Sequence, residues 1–476
     1  MSNPVKEPPP STNGFDPDAY RDAIATVDQS GARSWIFPKK PKGDLYTWRK
    51  RLSWVFLTLL FAGPFLRYKG EPFLLFNILE RKFILFGITF WPQDFHLFVL
   101  AMITFFVFIV LFTVIFGRIW CGWACPQTIF MEMVFRRVEY WIEGDSSQQR
   151  KLAKAPWNRE KILKKGSKWS IFAVIAFLIG NLVMAYIVGT DELFKYITES
   201  PSDNWGKFTF VLIFSGIFYF VFAWFREQAC IAVCPYGRLQ GVLLGKDSIV
   251  VAYDWIRGEP RGKLKRKAQP DAAPQGDCID CKLCVAVCPT GIDIRNGTQM
   301  ECVNCTACID ACDDIMEKVN KPKGLIRLDS FNGIESQTPA FRWTPRILAY
   351  SGVLVALLSI LSFSLASRAD VEATILRTPG MLYQEQVEGY ISNLYSIQVV
   401  NKTTEQLPVE IRIDASGGNI RLVGQALEVA PRDISKGVFF VDLPRESLDR
   451  GKNKIFLEIW SGDRRVSRVK TSFVGP

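Results

Sequence analysis

Apolar stretches long enough to cross a bilayer recur along the first three quarters of the chain. Four of them carry no charged residue and are near the length of about 20 residues that a transmembrane helix needs. They are Phe95–Phe116, Trp169–Val188, Phe208–Phe225 and Ile347–Ala366. A fifth stretch, Leu52–Leu66, is shorter and contains Gly63 and Pro64. We predict that it also spans, which gives an α-helical bundle of about five transmembrane helices.

The distribution of lysine and arginine predicts the orientation of these helices. Basic residues cluster before Leu52 and between Phe116 and Trp169, whereas Asp191–Lys207 is net acidic. Because cytosolic loops of membrane proteins carry an excess of Lys and Arg, we expect the N-terminus and the long connection before Ile347 to be cytosolic. The C-terminal region would then lie outside. The first 47 residues hold no apolar stretch that could serve as a signal peptide.

Two further regions have different patterns. Phe73–Phe90 is apolar but is interrupted at its centre by Glu80, Arg81 and Lys82, so we interpret it as structure lying in the outer membrane interface. Residues 367–476 instead form short segments in which apolar and polar residues alternate between Gly, Pro and Asp. That alternation is typical of strands and predicts an all-β immunoglobulin-like sandwich. The region contains neither Cys nor His, so we assign it no redox chemistry.

The composition adds two constraints. The net charge is +11, but the basic residues lie beside the apolar stretches, where they orient a membrane protein, and therefore do not indicate nucleic-acid binding. All twelve cysteines lie between Cys121 and Cys312, in tight runs. Such runs favour metal chemistry in a reducing compartment over a disulfide scaffold.

Eight of the cysteines form two consecutive runs with the spacing C-x2-C-x2-C-x3-C. This is the spacing of bacterial two-cluster ferredoxins, in which the fourth cysteine of each run ligates the other cluster. One [4Fe–4S] cluster is therefore predicted to bind Cys278, Cys281, Cys284 and Cys312, and the other Cys302, Cys305, Cys308 and Cys288. Structural zinc is the alternative, but zinc sites usually take two ligands from each of two pairs. Pro289 follows the first run, whereas Asp313 follows the second.

The other four cysteines form a duplicated C-x3-C-P motif. The copies lie 109 residues apart, each follows an apolar stretch and an arginine, and their cysteines are Cys121, Cys125, Cys230 and Cys234. If helical geometry continues, thiols at i and i+4 share one face, so two packed spans could bring four thiols into one site. Four thiolates favour soft metals, Cu(I) above all, with zinc or iron as competitors. Cysteines that serve only as small apolar residues, or a transient disulfide in each pair, are the alternatives.

The single histidine, His96, limits the choice of membrane cofactor. A haem held by two histidines of this chain is excluded. We interpret His96 as a solvated residue at the outer end of a span, and Trp120, Trp123 and Trp169 as membrane-interface anchors.

The duplicated C-x3-C-P motif, the two four-cysteine runs, the span after them and the strand-rich tail resemble the FixG/RdxA/CcoG family of cytochrome c oxidase accessory proteins. The resemblance extends over nearly the whole chain from about Trp35. It implies a multi-pass protein of the bacterial inner membrane that acts in assembly of a cbb-type cytochrome c oxidase. It further implies reduction of Cu(II) to Cu(I), two [4Fe–4S] clusters, and copper ligation by Cys121, Cys125, Cys230 and Cys234. Copper-handling and oxidase assembly proteins would be its partners.

Two alternatives stay open at this point. NapH-type quinol dehydrogenases share four spans, paired C-x3-C-P motifs and two ferredoxin-type clusters, and would oxidise membrane quinol. A redox-sensing scaffold would turn over neither quinol nor Cu(II). The strand-rich tail beyond an extra span favours the accessory-protein family.

The predicted organisation has five parts. They are a flexible cytosolic N-terminus (1–47), a membrane domain with four spans and both C-x3-C-P motifs (48–256), a cytosolic linker with an α+β two-cluster ferredoxin insert (257–345), a fifth transmembrane helix (346–366) and a periplasmic β-sandwich (367–476).

Overall fold

The computed structural model describes residues 26–27, 33–68, 70–79, 81–263, 275–369, 371–380, 382–386, 389–403, 405–414, 417–424 and 427–476. The chain divides into two compact units, Met1–Ser359 and Ile360–Pro476. All twelve cysteines belong to the first unit and are free of disulfides.

Within the described residues, four helices are long and apolar enough to cross a membrane, and they contain the four uncharged stretches of the sequence. Their regular α-helical parts are α2 (Phe95–Phe116), α7 (Arg159–Val188), α9 (Trp205–Phe220) and α15 (Pro345–Ala366). Leu52–Leu66 lies in α1 (Asp44–Ala62) and in the 3-10 turn that continues it to Phe65. Because α1 also carries Asp44, Arg49, Lys50 and Arg51, it is not one of the four. A fifth span therefore stays a prediction.

Phe73–Phe90 folds into strands rather than a helix. After β1 (Arg67–Tyr68) and β2 (Glu71–Pro72), an antiparallel three-stranded sheet is formed by β3 (Leu74–Asn77), β4 (Lys82–Leu85) and β5 (Ile88–Phe90). The charged interruption falls where the chain reverses, at Arg81, whose φ of 56° is in the left-handed region. The strand β3 packs against α7, and Ile84 on β4 is fully buried. The stretch is thus not a spanning helix, as expected.

The remaining α-helices are short. They are α3 (Ile119–Trp123), α4 (Pro126–Ile129), α5 (Arg136–Ile142), α6 (Ser146–Lys154), α8 (Thr190–Thr198), α10 (Pro235–Leu243), α11 (Trp255–Gly258), α12 (Leu283–Ala286), α13 (Ala307–Lys318) and α14 (Phe331–Ser336). A two-stranded antiparallel ladder, β6 (Val250–Tyr253) with β7 (Ile326–Asp329), closes the cysteine-rich insert. Since β6 belongs to this insert, the insert begins before the predicted boundary at residue 257. Residues 264–274 of the predicted linker lie outside the described residues.

The segment before α1 packs against the insert. The Lys39 amide donates to the Ala286 carbonyl at 2.7 Å. The carboxylate of Asp310, on α13, accepts hydrogen bonds from the amides of Leu45 (3.2 Å) and Tyr46 (2.7 Å). A carboxylate that satisfies the free amides of a first helical turn stabilises that turn. The structured part of the chain therefore begins before residue 47, the predicted end of a flexible N-terminus.

The C-terminal unit is the predicted all-β sandwich. Its strands are β8 (Val371–Arg377), β9 (Gln384–Glu385), β10 (Tyr390–Asn401), β11 (Leu407–Ile413), β12 (Asn419–Val423), β13 (Leu427–Val429), β14 (Ile434–Pro444), β15 (Lys452–Ser461) and β16 (Arg464–Val474). One antiparallel sheet has the order β12-β14-β10-β8, with β9 on β10, and the other has the order β13-β11-β15-β16. Alternate residues point inward, so that Tyr395, Phe439 and Leu457 are fully buried between the sheets.

Candidate iron–sulfur and thiol sites

Two cavities in the insert are lined by the eight cysteines of the four-cysteine runs. One, which we call the outer cavity, is lined by Cys278, Cys281, Cys284 and Cys312. The other, which we call the inner cavity, is lined by Cys288, Cys302, Cys305 and Cys308, and Cys284 also lines part of it. The fourth cysteine of each run thus lines the cavity formed by the other run, which is the grouping that the crossed ferredoxin pattern requires.

The local backbone explains why three thiols of each run face one cavity. In the first run Asp280 and Lys282 have left-handed φ values of 52° and 56°, and in the second run Asn304 and Thr306 have values of 51° and 63°. These are the same two positions of each run. Residues with positive φ reverse the chain direction within a few residues, so the loop curls around the cavity. The fourth cysteine of each run is positioned by a helix. Cys288 follows α12, and Cys312 lies within α13.

The thiols suit an iron–sulfur cluster better than a single zinc ion. Across the described parts of the chain, no three His, Cys, Asp or Glu side chains are close enough together to hold one metal ion. A cluster has several metal atoms and binds thiolates that are well separated from one another, whereas zinc draws four ligands to one point. Burial raises the pKa of Cys302 and Cys312 to about 12, so a bound metal must displace protons from these thiols. When bound, such clusters supply one-electron transfer.

The duplicated C-x3-C-P motif brings its four cysteines to one place, which we call the four-thiol site. Cys121 lies on α3, and Cys230 lies in a π-helical turn, Ala229–Val233. Cys125 and Cys234 are extended, with ψ of 125° and 111°, and the following proline starts α4 or α10. Proline favours the first helical position because it lacks an N–H and has a fixed φ. The helix therefore breaks at the second cysteine of each copy. The prediction that thiols at i and i+4 share one face assumed a continuous helix.

A hydrogen bond joins the two copies, because the Cys121 thiol donates to Gln240 Oε1 at 3.0 Å and Gln240 lies on α10, the helix that follows Cys234. The pKa of Cys121 is raised to about 11, mainly by burial, which Arg118 opposes and to which Cys125 and Cys234 add. Burial likewise raises the pKa of Cys230 to about 12, with further contributions from Cys125, Cys121 and Cys234. Each of these thiols therefore lies within electrostatic range of members of the other copy.

Buried ion pairs connect the two copies. Arg136, after the first copy, pairs with Glu132 and with Glu227, just before the second copy. Arg226 donates to both carboxylate oxygens of Glu139 at 2.8 Å. Burial alone would raise the pKa of Glu139, but Arg226 and Lys168 lower it to about 2. The pairing extends through Lys168 to Glu143 at 2.9 Å. Sequence reasoning missed these pairs, because Glu132, Glu139 and Glu143 are scattered among basic residues that we interpreted as an orientation signal.

The four-thiol site lies directly beside the inner cavity. Cys121 packs with Val303 and Cys305 in one apolar cluster. Gly122 touches the same loop so closely that a Cβ atom on it would lie 2.4 Å from the Val303 carbonyl oxygen. The Cys121 thiol also donates to Gln240 Oε1 at 3.0 Å. His96, by contrast, is exposed at the start of α2.

The fold and these cysteines define a membrane-bound iron–sulfur protein, and comparison with known proteins agrees. Residues 225–331 match a family model described as a 4Fe-4S dicluster domain, and residues 98–145 match one described as a 4Fe-4S binding domain. Residues 361–476 match the immunoglobulin-like fold at the C-terminus of FixG.

Full-length relatives identify the family. The chain is 37% identical to protein RdxB of Cereibacter sphaeroides over 80% of this chain and 82% of the relative. It is 32% identical to the nitrogen fixation protein FixG of Rhizobium meliloti over 87% of each. A solved FixG-related protein from Vibrio parahaemolyticus aligns with 23% of this chain and 98% of its own, at 15% identity and a TM-score of 0.20. The chain belongs to the FixG/RdxA family.

Proposed function

We propose that this protein reduces Cu(II) to Cu(I) at the four-thiol site and supplies Cu(I) for assembly of a cbb-type cytochrome c oxidase. The observation that supports this most directly is the convergence of Cys121, Cys125, Cys230 and Cys234 beside the inner cavity. Cu(II) prefers nitrogen and oxygen ligands, whereas Cu(I) prefers thiolates. A site of four thiols therefore binds the reduced ion more tightly, and this favours the one-electron reduction.

The resident cofactors in this proposal are two [4Fe–4S] clusters. The ligands would be Cys278, Cys281, Cys284 and Cys312 in the outer cavity, and Cys288, Cys302, Cys305 and Cys308 in the inner one. Copper is the substrate. Because the four thiols are not at the spacing of a single-ion site, Cu(I) has to draw two or three of them together, and it displaces their protons.

The test is the double substitution Cys121→Ser with Cys125→Ser in the full-length protein. We expect loss of high-affinity Cu(I) binding, of Cu(II) reduction by the pre-reduced protein and of copper-dependent oxidase assembly in cells, with unchanged iron content. Cys305→Ser is the matched control for Cu(I) binding alone, since it removes a thiol from the inner cavity and none of the four thiols of the proposed copper site. Full Cu(I) affinity and normal oxidase assembly in the double variant would refute the copper proposal. Quinol oxidation by the wild-type protein without copper would instead favour a quinol dehydrogenase.

A second candidate for the four-thiol site is a third iron–sulfur cluster. The family model matched by residues 98–145 is described as 4Fe-4S binding, yet this segment contains only Cys121 and Cys125. A cubane needs four thiolates, and the electrostatic interaction of Cys230 with Cys121 and Cys125 supports Cys230 and Cys234 as the other two. Iron analysis separates the candidates. Copper at this site corresponds to about eight iron atoms per chain and a third cluster to about twelve.

We further propose that the protein lies in the bacterial inner membrane with the insert in the cytosol and the β-sandwich in the periplasm. The excess of Lys and Arg in the segments around the cysteines supports this orientation. A reporter that is active only outside the cytosol should work when fused after Ala366 and should fail when fused near Gly276. The opposite result would reverse the orientation.

A further inference from the structure

Two buried arginines next to the inner cavity have no carboxylate partner among the described residues. Arg49 is 2% exposed and Arg118 is 5% exposed. Within the parts of the chain that the structure describes, the oxygens that accept from the two guanidinium groups are all neutral, and Arg118 also lies beside the Cys121 thiol. A buried cation without a counter-charge is costly in free energy. We therefore expect a negative charge near the two arginines when the clusters are bound.

Arg118 joins the four-thiol site to the loop of the inner cavity. Its Nε donates to Gln240 Oε1 at 3.1 Å, and the same oxygen accepts from the Cys121 thiol. Its Nη1 donates to the carbonyl of Met300, two residues before Cys302. Arg118 therefore places a positive charge against the backbone that leads into the loop of the inner cavity.

Arg49 lies near the same loop through its contact with Gly122. Its Nε donates to the Gly122 carbonyl at 2.6 Å, and Gly122 rests on Val303 and Asn304. Arg49 therefore places a positive charge beside the backbone on which this loop rests. The nearby carboxylate of Glu132 is paired with Arg136.

The outer cavity has a different balance of charge. Its arginine, Arg295, is paired with Asp280 at 2.6 Å and with Asp293 at 2.6 Å. Asp313 adds negative charge near Cys312. Cys281 is exposed, and nearby water favours the more negative, reduced form of a cluster. Exposure thus favours reduction of the outer cluster, and the two uncompensated arginines favour reduction of the inner one.

We propose that Arg49 and Arg118 are tuning residues that raise the reduction potential of the inner cluster above that of the outer cluster. The proposal rests on the cluster ligands given under the proposed function and does not depend on copper. Reduction adds one negative charge to a cluster, and a fixed positive charge in a medium of low dielectric constant stabilises that form strongly. An electron in the insert would then reside mostly in the inner cavity, beside the four-thiol site.

The test is a potentiometric titration of the full-length protein in detergent, followed by electron paramagnetic resonance of the reduced clusters. The variant Cys305→Ser, which retains the outer cluster, assigns the two midpoints. We expect the inner midpoint to be the higher one. Arg118→Met and Arg49→Met should each lower it and leave the outer midpoint in place, whereas Arg118→Lys should retain most of the wild-type value.

Two further variants separate charge from packing. Gln240→Glu keeps the shape of the side chain but places a carboxylate on Arg118, so it should also lower the inner midpoint. If Arg118→Met fails to fold, Gln240→Glu and Arg49→Met test the proposal in its place. Arg238→Met removes an exposed arginine from the same helix, α10, and should move neither midpoint. An inner midpoint that stays unchanged in both Arg49→Met and Gln240→Glu, or equal shifts of both clusters, would overturn the proposal. Loss of Cu(I) binding in the C-x3-C-P variants would not affect it.

Discussion

The cysteine-rich insert and the four-thiol site both gather thiols, but over very different distances along the chain. Three thiols of the inner cavity come from one loop, Cys302–Cys308, whose curvature is set by the left-handed residues Asn304 and Thr306. The four thiols of the other site come from two copies of a motif 109 residues apart. Those copies are held together by buried ion pairs such as Arg226 with Glu139.

This difference predicts how each site responds to damage. A site formed by one loop keeps most of its geometry when a distant contact is lost, because its thiols are positioned by neighbouring backbone. A site formed between two copies depends on tertiary packing and loses its geometry with that packing. The second arrangement also suits a metal that is taken up and released, since the thiols can separate without unfolding a loop.

The largest expected effect is on the insert itself. Replacing Cys305 by Ser removes a thiol from the inner cavity while leaving the four thiols of the outer cavity intact. We expect iron and acid-labile sulfide in anaerobically purified protein to fall by about half from about eight each. Cys230→Ser should leave both values unchanged if the four-thiol site binds copper. Stoichiometric zinc without labile sulfide would refute the cluster assignment.

The second largest effect is expected when the buried ion pairs between the two copies of the C-x3-C-P motif are broken. Glu139→Gln leaves Arg226 buried with a weaker partner, Glu227, at 3.7 Å. Breaking a buried pair in this way costs about 3–5 kcal/mol, so the unfolding midpoint in detergent should fall. Cu(I) affinity should fall with it while iron content is retained. Glu192→Gln is the control, because its pair with Lys195 is exposed, and it should leave the midpoint unchanged. Equal loss of iron and copper would contradict the separation of the two sites.

A smaller effect is expected where the two regions touch. In Gly122→Ala the new methyl group would meet the Val303 carbonyl at 2.4 Å, a backbone atom that cannot rotate away. Overpacking of this kind costs about 1–3 kcal/mol, and it should weaken Cu(II) reduction more than Cu(I) binding. Gly216→Ala is the control, since a methyl group at that position would enter open space. It should be neutral or slightly stabilising in α9. Equal reduction rates for both variants would show that this contact is not needed.

The sequence predicted what depends on local pattern. The four long apolar helices and the C-terminal sandwich follow from periodicity, and the grouping of cysteines around each cavity follows from the spacing of the runs. Contacts between distant segments were not predictable. The pairing of Glu139 with Arg226, and the neutral surroundings of Arg118 among the described residues, depend on which segments pack together, and one sequence does not reveal that packing. Leu52–Leu66 illustrates the same limit, because its helix continues back into charged residues.

The smallest effect concerns proton binding, in which the two regions should behave alike. Burial raises the pKa of Cys121 to about 11 and that of Cys305 to about 11, against about 8.5 for a free thiol. In metal-free protein both thiols are therefore neutral at pH 8.5, and their alkylation rates should keep rising about tenfold per pH unit up to about pH 10. Since the folded state disfavours the thiolate, the stability contributed by these groups is complete below about pH 8.5 and is lost as the pH rises toward 11. Mass spectrometry of alkylated peptides measures each cysteine separately. The alkylation rate of Cys121 could instead level off near pH 8.5 while that of Cys305 continues to rise. That result would show that the four-thiol site is open to water and differs from the insert in solvation as well as in construction.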